Sequence, residues 1–151
     1  METIVCIIRF FRSIEELNDN FDNLSEADKG YIYDLDADSF FDYEDEDLHY
    51  VTYVIAKSDD IDKYTSILKK YHIKYEATDI SSKILNHEID LTYLAEYIDV
   101  INLLKYDFFK EELDYWILNN LEIDIVLDRI VEVGMENLTD VEKKFLDEIE
   151  K

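Results

Sequence analysis

The fold is decided by one stretch of sequence, His49-Tyr50-Val51-Thr52-Tyr53-Val54-Ile55-Ala56-Lys57, which β-branched and aromatic residues fill. Such composition is typical of a strand, and no other stretch of the chain carries a stronger strand pattern. Ser58-Asp59-Asp60 follows and begins a predicted helix. Apolar side chains recur in that helix at helical spacing, at Ile61, Tyr64, Leu68 and Tyr71. Residues 74–80 then predict a further strand.

The N-terminal part of the sequence predicts a second set of strands and a helix. Residues 3–11 are β-branched and aromatic, as in a buried strand. Ser13-Ile14-Glu15-Glu16 has the capping-box pattern that opens a helix, here expected to run through about Leu24. One face of that helix carries Ile14, Leu17, Phe21 and Leu24. Gly30 precedes Tyr31-Ile32-Tyr33-Asp34-Leu35, which we interpret as the second strand.

The resulting element order over residues 1–80 is β-α-β-β-α-β. This order predicts an α+β fold, specifically a ferredoxin-like split βαβ sandwich in which two helices cover one face of the sheet. Because that fold supports many unrelated functions, it indicates none by itself.

The pattern changes to helix from residue 88, so residues 88–151 predict a C-terminal helical region that we expect to pack as an extension of the same globule. Asp90 is placed to cap a first helix, and a second is expected over residues 107–120. The apolar positions of the first are Leu91, Leu94, Ile98, Ile101 and Leu104. A third helix is predicted from Ile123 to Val133, with Gly134 as its C-terminal glycine. Thr139-Asp140-Val141-Glu142 is a second capping box and opens the last helix.

Residues 130–146 are the one segment with a recognisable resemblance. The positions that carry it are Gly134, Leu138-Thr139, Glu142-Lys143 and Phe145-Leu146. In these positions the segment resembles a short C-terminal helical module of assorted Bacteroidota proteins, including some rhomboid-type ones. The resemblance suggests a bacterial or phage origin and implies no activity.

The charge of the chain is strongly negative. Lys and Arg number 15 and Asp and Glu 38, which gives −23 at pH 7. Hydrophobic residues make up 48% and include 12 Tyr and 8 Phe, so the chain has the material for a folded core. A surface of this sign repels nucleic acid and anionic membranes, because binding to both depends on Lys and Arg. The natural partner is therefore a basic protein.

The acid is densest in residues 34–47, called here the acidic segment and expected to be a loop. No basic residue lies between Lys29 and Lys57. Aromatic residues interleave the acids, and aromatic side chains are enriched in interface cores. The predicted partner-binding residues are Asp34, Asp36, Asp38, Phe40, Phe41, Asp42, Glu44, Asp45, Glu46 and Asp47. In an extended chain, alternate acids would stand ~6.6–6.8 Å apart along one edge and could engage phosphate-binding Arg and Lys. The alternative is a solvated loop.

Two comparisons qualify that interpretation. One DNA strand carries a charge every ~3.4 Å, so a single acidic edge is sparser than DNA and a second row would be needed. Two helical stripes could supply it: Asp107, Glu111 and Asp114, and Asp124, Asp128 and Glu132.

A calcium loop is the competing interpretation, because Asp34, Asp36, Asp38 and Asp42 match EF-hand positions. Ser39 and Asp45, however, replace the turn glycine and the bidentate Glu of an EF-hand.

The sequence contains no recognisable catalytic, metal or cofactor motif. His49, His72 and His87 lie at wide spacings, and two glycines cannot form a phosphate loop. Cys6 is the only cysteine, so no internal disulfide forms and a cytoplasmic setting is expected. Its apolar run, residues 3–8, is too short to span a membrane. We therefore expect no catalytic residues, no metal and no cofactor.

The leading hypothesis is a protein-binding module that occupies the basic nucleic-acid-binding surface of a nuclease or other defence protein by charge mimicry. Inhibitors and immunity proteins such as anti-CRISPR, anti-restriction and toxin-immunity proteins belong to this class. The alternative is an acidic structural or adaptor protein that binds through its C-terminal helices. An uncharacterised enzyme or a calcium-binding protein is third.

Overall fold

The computed structural model of the chain describes residues 2–37, 40–43, 49–89 and 100–149. Strands and helices occur together in the described residues, so the predicted α+β class is confirmed. The chain divides into two compact units, Met1–Ser81 and Ser82–Lys151.

One antiparallel sheet forms the first unit. Its strands are β1 (Thr3–Phe10), β2 (Phe40–Tyr43), β3 (Tyr50–Lys57) and β4 (Tyr75–Asp79). Their order in the described sheet is β2-β3-β1-β4, and every neighbouring pair is antiparallel. The strands predicted from residues 3–11, 49–57 and 74–80 are confirmed.

Among the described residues of the same unit there are three helices: α1 (Ile14–Phe21), α2 (Glu26–Ala37) and α3 (Ser58–Lys70). Ser13 caps α1, accepting from the Glu16 backbone N–H at 3.4 Å, as the capping box predicts. The helix ends at Phe21, earlier than expected, and buried Leu24 follows it in a turn.

Helix and sheet side chains meet in one apolar core. The strands contribute Cys6, Ile8, Phe10, Tyr50 and Val54. The helices contribute Leu17, Phe21, Ile32, Ile61, Tyr64, Ile67 and Leu68. Residues at alternate positions of the central strands, such as Val5, Ile7 and Val51, lie on the opposite sheet face and are buried too. Burial on both sides of these strands fits their almost continuously apolar sequences.

The prediction of a second strand over Tyr31–Leu35 is wrong, because these residues lie in α2. Ser25 caps this helix by accepting from the Asp28 N–H at 3.2 Å. Gly30, interpreted as a break, lies inside the helix at a cost of about 1 kcal/mol relative to Ala. Burial of Ile32 in the core offsets that cost. The second strand is instead β2.

Helices account for the second unit. They are α4 (Ser81–Leu85, which begins at the unit boundary), α5 (Val100–Asn120), α6 (Ile123–Val133) and α7 (Asp140–Ile149), with a 3-10 turn at Met135–Asn137. The predicted α6 and α7 are confirmed. The two helices predicted before them are wrong in their boundary, since Ile101, Leu104 and residues 107–120 share α5; residues 90–99 lie outside the described part.

The last two helices are joined by a glycine turn and share a small core. Gly134 has φ of +84° and donates its N–H to the Ile130 carbonyl at 2.8 Å, which is the predicted glycine terminus of α6. A side chain there would be strained, because positive φ favours glycine. Leu121, Val126 and Leu138 form the buried centre of this core, with Phe145 and Leu146 packed against it.

Candidate functional site

The acidic segment is not one continuous loop. Asp34 and Asp36 lie near the end of α2, where Asp34 is exposed and Asp36 half-buried. Phe40, Phe41 and Asp42 belong to β2. The other predicted binding residues, Asp38, Glu44, Asp45, Glu46 and Asp47, lie outside the described residues.

Helical placement of Asp34 and Asp36 corrects the expected geometry. Residues two apart on a helix point in different directions, so these two carboxylates do not form one row of alternate acids. The helical placement also argues against the calcium interpretation, because Asp34 and Asp36 would be the first two ligand positions of an EF-hand and would have to lie in its loop. Among the described residues of the segment, only Phe40–Tyr43 are in extended conformation, in β2.

Asp36 is engaged within the fold. Its Oδ1 accepts a hydrogen bond of 3.0 Å from the Tyr64 hydroxyl. Burial, and next the charge of Asp36, raises the pKa of Tyr64 above its ordinary value of 10.0, so the phenol stays protonated and donates. This acid therefore supports the packing of α2 on α3.

Two more side chains of α2 bond to α3 and its end. Asp28 Oδ2 accepts from Lys70 Nζ at 2.9 Å and from the Tyr71 hydroxyl at 2.8 Å. The bonds from Lys70 and then Tyr71 lower the pKa of Asp28, and the bond to Asp28 raises the pKa of Lys70. Tyr31 donates to the Asp60 backbone carbonyl at 2.9 Å. Polar contacts along α2 thus fix the helix that precedes the acidic segment.

Edge strand β2 positions the middle of the acidic segment. Among the described strands, β2 lies at one end of the sheet order and pairs only with β3. Its register joins Phe40 to Tyr53, Phe41 to Thr52 and Asp42 to Val51. Charged residues on an edge strand disfavour pairing with strands of other chains, which is a structural reason for acid at this place.

Sequence reasoning missed a second acidic surface on α1. Glu15, Asp19 and Asp22 recur at positions i, i+4 and i+7, and all three are exposed. No Lys or Arg occurs between Arg12 and Lys29. Successive charges in this row stand about 4.5–6 Å apart along the helix axis, which is again sparser than a DNA strand. The signal was present in the sequence, in the polar face opposite Leu17 and Phe21.

The two expected acidic stripes of the second unit differ. In the stripe on α5, Asp114 is paired with Lys110 at 2.9 Å. The stripe on α6, formed by Asp124, Asp128 and Glu132, is exposed along its whole length. Of these three acids, only Glu132 lies near a cation of the described residues: its carboxylate is 3.9 Å from Arg129.

An exposed apolar stripe runs beside the acidic stripe of α6. It consists of Ile123, Leu127 and Val131, whose exposed fractions are 41%, 48% and 88%. The two stripes start one residue apart and repeat every fourth residue, so they are adjacent and about 100° apart around the helix. Val126, on the remaining side, is fully buried. Helix α6 therefore has three sectors: core, exposed apolar and exposed acidic.

A cavity of about 390 Å³ lies in the second unit among α4, α5 and α7. Mostly apolar side chains line it, together with the polar residues His87, Lys110, Asp114 and Glu142. Lys110 and Asp114 form a salt bridge at 2.9 Å, and His87 Nε2 lies 3.3 Å from Glu142 Oε2; Thr139 and Asp140 line the cavity as well.

Glu142 is the most deeply buried charged side chain of the described residues, with 1% exposed. Its Oε1 accepts from the Thr139 N–H at 2.9 Å, while the Thr139 hydroxyl accepts from the Glu142 N–H at 3.2 Å. Its Oε2 lies 3.3 Å from His87 Nε2 and 3.9 Å from the Nε of Arg129, but neither contact is a hydrogen bond, so this buried oxygen has no hydrogen-bond partner among the described residues. The carboxylate thus joins the start of α7 to the end of α4 and to α6.

Reactive groups are scarce in the described residues. The Cys6 thiol is buried in β1, and burial, followed by the charge of Asp79, raises its pKa to about 11. A thiol with that pKa is protonated near neutral pH and is a poor nucleophile. No group of three or more His, Cys, Asp or Glu residues in the described ranges is arranged to hold a metal ion. No described helix is both long and apolar enough to cross a membrane.

Comparisons with protein-family models, with curated proteins and with solved structures gave no match to this chain.

Proposed function

We propose that this protein is an acidic protein-binding module that occupies the basic nucleic-acid-binding surface of another protein by charge mimicry. It would act as an inhibitor or immunity-type protein of the anti-CRISPR, anti-restriction or toxin-immunity class. The partner would be a nuclease or another nucleic-acid-binding protein.

The observation that carries this proposal is the position of the acidic segment. Exposed Asp34 lies near the end of α2, Asp42 lies in the edge strand β2, and four further acids follow directly in the sequence. The row on α1 adds exposed acid in the same unit. A net charge of −23 then steers the whole molecule towards a basic surface and away from nucleic acid.

The finer fold assignment also belongs to this proposal. We infer that the first unit is a variant of the ferredoxin-like sandwich with two helices, α1 and α2, between its first two strands. Support comes from the strand order β2-β3-β1-β4 with antiparallel neighbours and from the position of β1 and β3 at the centre.

Affinity purification from the source organism, with elution by salt, supplies the partner for the test. The variant to compare with the parent protein has four acids of the segment neutralised: Asp42→Asn, Glu44→Gln, Asp45→Asn and Glu46→Gln. A matched control removes four charges elsewhere: Glu88→Gln, Glu136→Gln, Asp147→Asn and Glu148→Gln.

The expected result is slower association of the segment variant, by about tenfold or more, with a flatter salt dependence. The parent protein and the control variant should displace duplex DNA from the partner, and the segment variant should not. Equal association rates for the two variants would mean that the segment is only solvated surface, and would overturn the proposal.

A second candidate function is that of an adaptor that binds through the C-terminal helices. The exposed apolar stripe on α6 favours it, because charge mimicry alone does not require exposed Ile, Leu and Val.

A further inference from the structure

We propose that α6 is a docking face for an amphipathic helix whose apolar stripe is flanked by Lys and Arg. This inference concerns a different surface from the acidic segment and does not rest on the charge-mimicry proposal.

The first step is that the exposed apolar residues of α6 form a row. Ile123, Leu127 and Val131 follow one another every fourth residue of the helix, and all three are exposed. Isolated exposed apolar residues are ordinary, whereas a contiguous apolar patch bordered by polar residues marks an interaction site. The row extends about 12 Å from Ile123 to Val131, which is the contact length of two to three helical turns.

The exposed row of Ile123, Leu127 and Val131 is not part of the apolar core of its own unit. Val126 and Leu138, both buried, form the centre of that core, and Ile130 and Val133 of α6 pack against it. The apolar row lies on a separate sector of the helix. A partner helix can therefore cover it without disturbing the fold, in the manner of helix-in-groove recognition with anchors at i, i+4 and i+8.

The third step identifies the partner by charge. Asp124, Asp128 and Glu132 border the apolar row along its full length, and Asp124 and Asp128 are not paired with Lys or Arg within the described ranges. An incoming helix with Lys or Arg one position beside its apolar residues would pair with these acids. A helix with acids there would be repelled.

The same charges argue against the other occupants. A second copy of the chain would bring a further charge of −23 and a second acidic stripe close to the first. An anionic lipid surface would be repelled likewise. A basic amphipathic helix is the occupant that gains from both stripes at once.

The probe is a displayed library of helical peptides of about 18 residues, with the apolar and charged positions randomised, selected against the full chain. Recovered peptides are measured by fluorescence anisotropy on the parent protein and on Leu127→Asp/Val131→Asp. Phe108→Asp is the matched control, because Phe108 is also an exposed apolar helix residue, 68% exposed, and lies on α5. Circular dichroism melts establish that each variant folds.

The expected result is a consensus of apolar residues at every third or fourth position with adjacent Lys or Arg. Binding should weaken about tenfold or more in Leu127→Asp/Val131→Asp and stay unchanged in Phe108→Asp. A second variant, Asp124→Asn/Asp128→Asn, nearly preserves shape and should bind with a reduced salt dependence even if the first variant folds poorly. The variant with the neutralised acidic segment should bind the peptides as the parent does, so this test is separate from that of the charge-mimicry proposal.

Four outcomes would overturn the inference: no enriched peptide, a consensus without Lys and Arg, equal binding to the parent and to Leu127→Asp/Val131→Asp, or a parent homodimer that this variant dissociates. The last would show that the row is a contact between copies of the chain.

Discussion

Two helices of this protein begin with the same local motif in different surroundings. Ser13 and Glu16 open α1, and Thr139 and Glu142 open α7. Glu16 is exposed, and its N–H bonds to Ser13 at 3.4 Å, whereas Glu142 is buried and its box is closed in both directions, at 2.9 and 3.2 Å. Within the described residues, Glu142 also lies 3.9 Å from Arg129 of α6 and 3.3 Å from His87. The comparison teaches that the motif decides where a helix begins, while burial decides how much stability depends on it.

The largest expected effect is the difference between removing the two glutamates. Glu142→Ala should lower the free energy of unfolding by about 3–5 kcal/mol, because it opens the cap of α7 and leaves the mostly buried Arg129 with only the exposed Glu132 as a counter-ion. Glu16→Ala should cost about 0.5 kcal/mol or less, as is usual at an exposed position. Urea denaturation with unchanged m-values measures both. Similar costs for the two variants would break the comparison.

A smaller effect separates charge from capping at α7. Arg129→Met and Glu142→Gln each remove one member of the buried pair, and the Gln can still make the capping bond. The double variant should lose less stability than the single losses added together, with a coupling of about 1–3 kcal/mol. Chemical denaturation of the four proteins in the cycle gives this number. Additive losses would show that Arg129 and Glu142 do not stabilise each other.

The smallest effect comes from the hydroxyl side of each box. Ser13→Ala and Thr139→Ala should each cost about 1 kcal/mol, because both hydroxyls accept one backbone N–H. Thermal and urea unfolding of the two variants, with Ser→Thr at position 13 as a conservative control, measure the costs. If Thr139→Ala proves as damaging as Glu142→Ala, the stability at α7 comes from the cap and not from the buried charges.

Local patterns in the sequence predicted much of this fold. The β-branched runs of β1 and β3 and the two capping boxes act within a few residues of themselves, so no tertiary information was needed. The prediction of a strand over residues 31–35 was wrong because Tyr31-Ile32-Tyr33 has high strand propensity. The helix that forms there is fixed by the Ser25 cap and by contacts of Asp28 and Asp36 with α3. The cap and the acids of the first turn were a usable helix signal in Ser25-Glu26-Ala27-Asp28.

The surfaces were harder to predict, because exposure depends on the whole fold. The sequence predicted the acidic stripe of α6, but its periodicity could not tell that Leu127 and Val131 are exposed while Val126 is buried. The side chains beside the buried Glu142 carboxylate, His87 and Arg129, come from other parts of the sequence. Such pairings are invisible to a pattern that extends over four residues.

The central position of β1 has a consequence for how the chain is made. Thr3–Phe10 is synthesised first, but its two neighbours in the sheet are Tyr50–Lys57 and Tyr75–Asp79. At translation rates of about 5–20 residues per second, its apolar side chains wait on the order of 3–14 s for the last strand to be added. During that interval the apolar side chains of β1 lack part of their native sheet, and exposed apolar surface of this kind promotes aggregation.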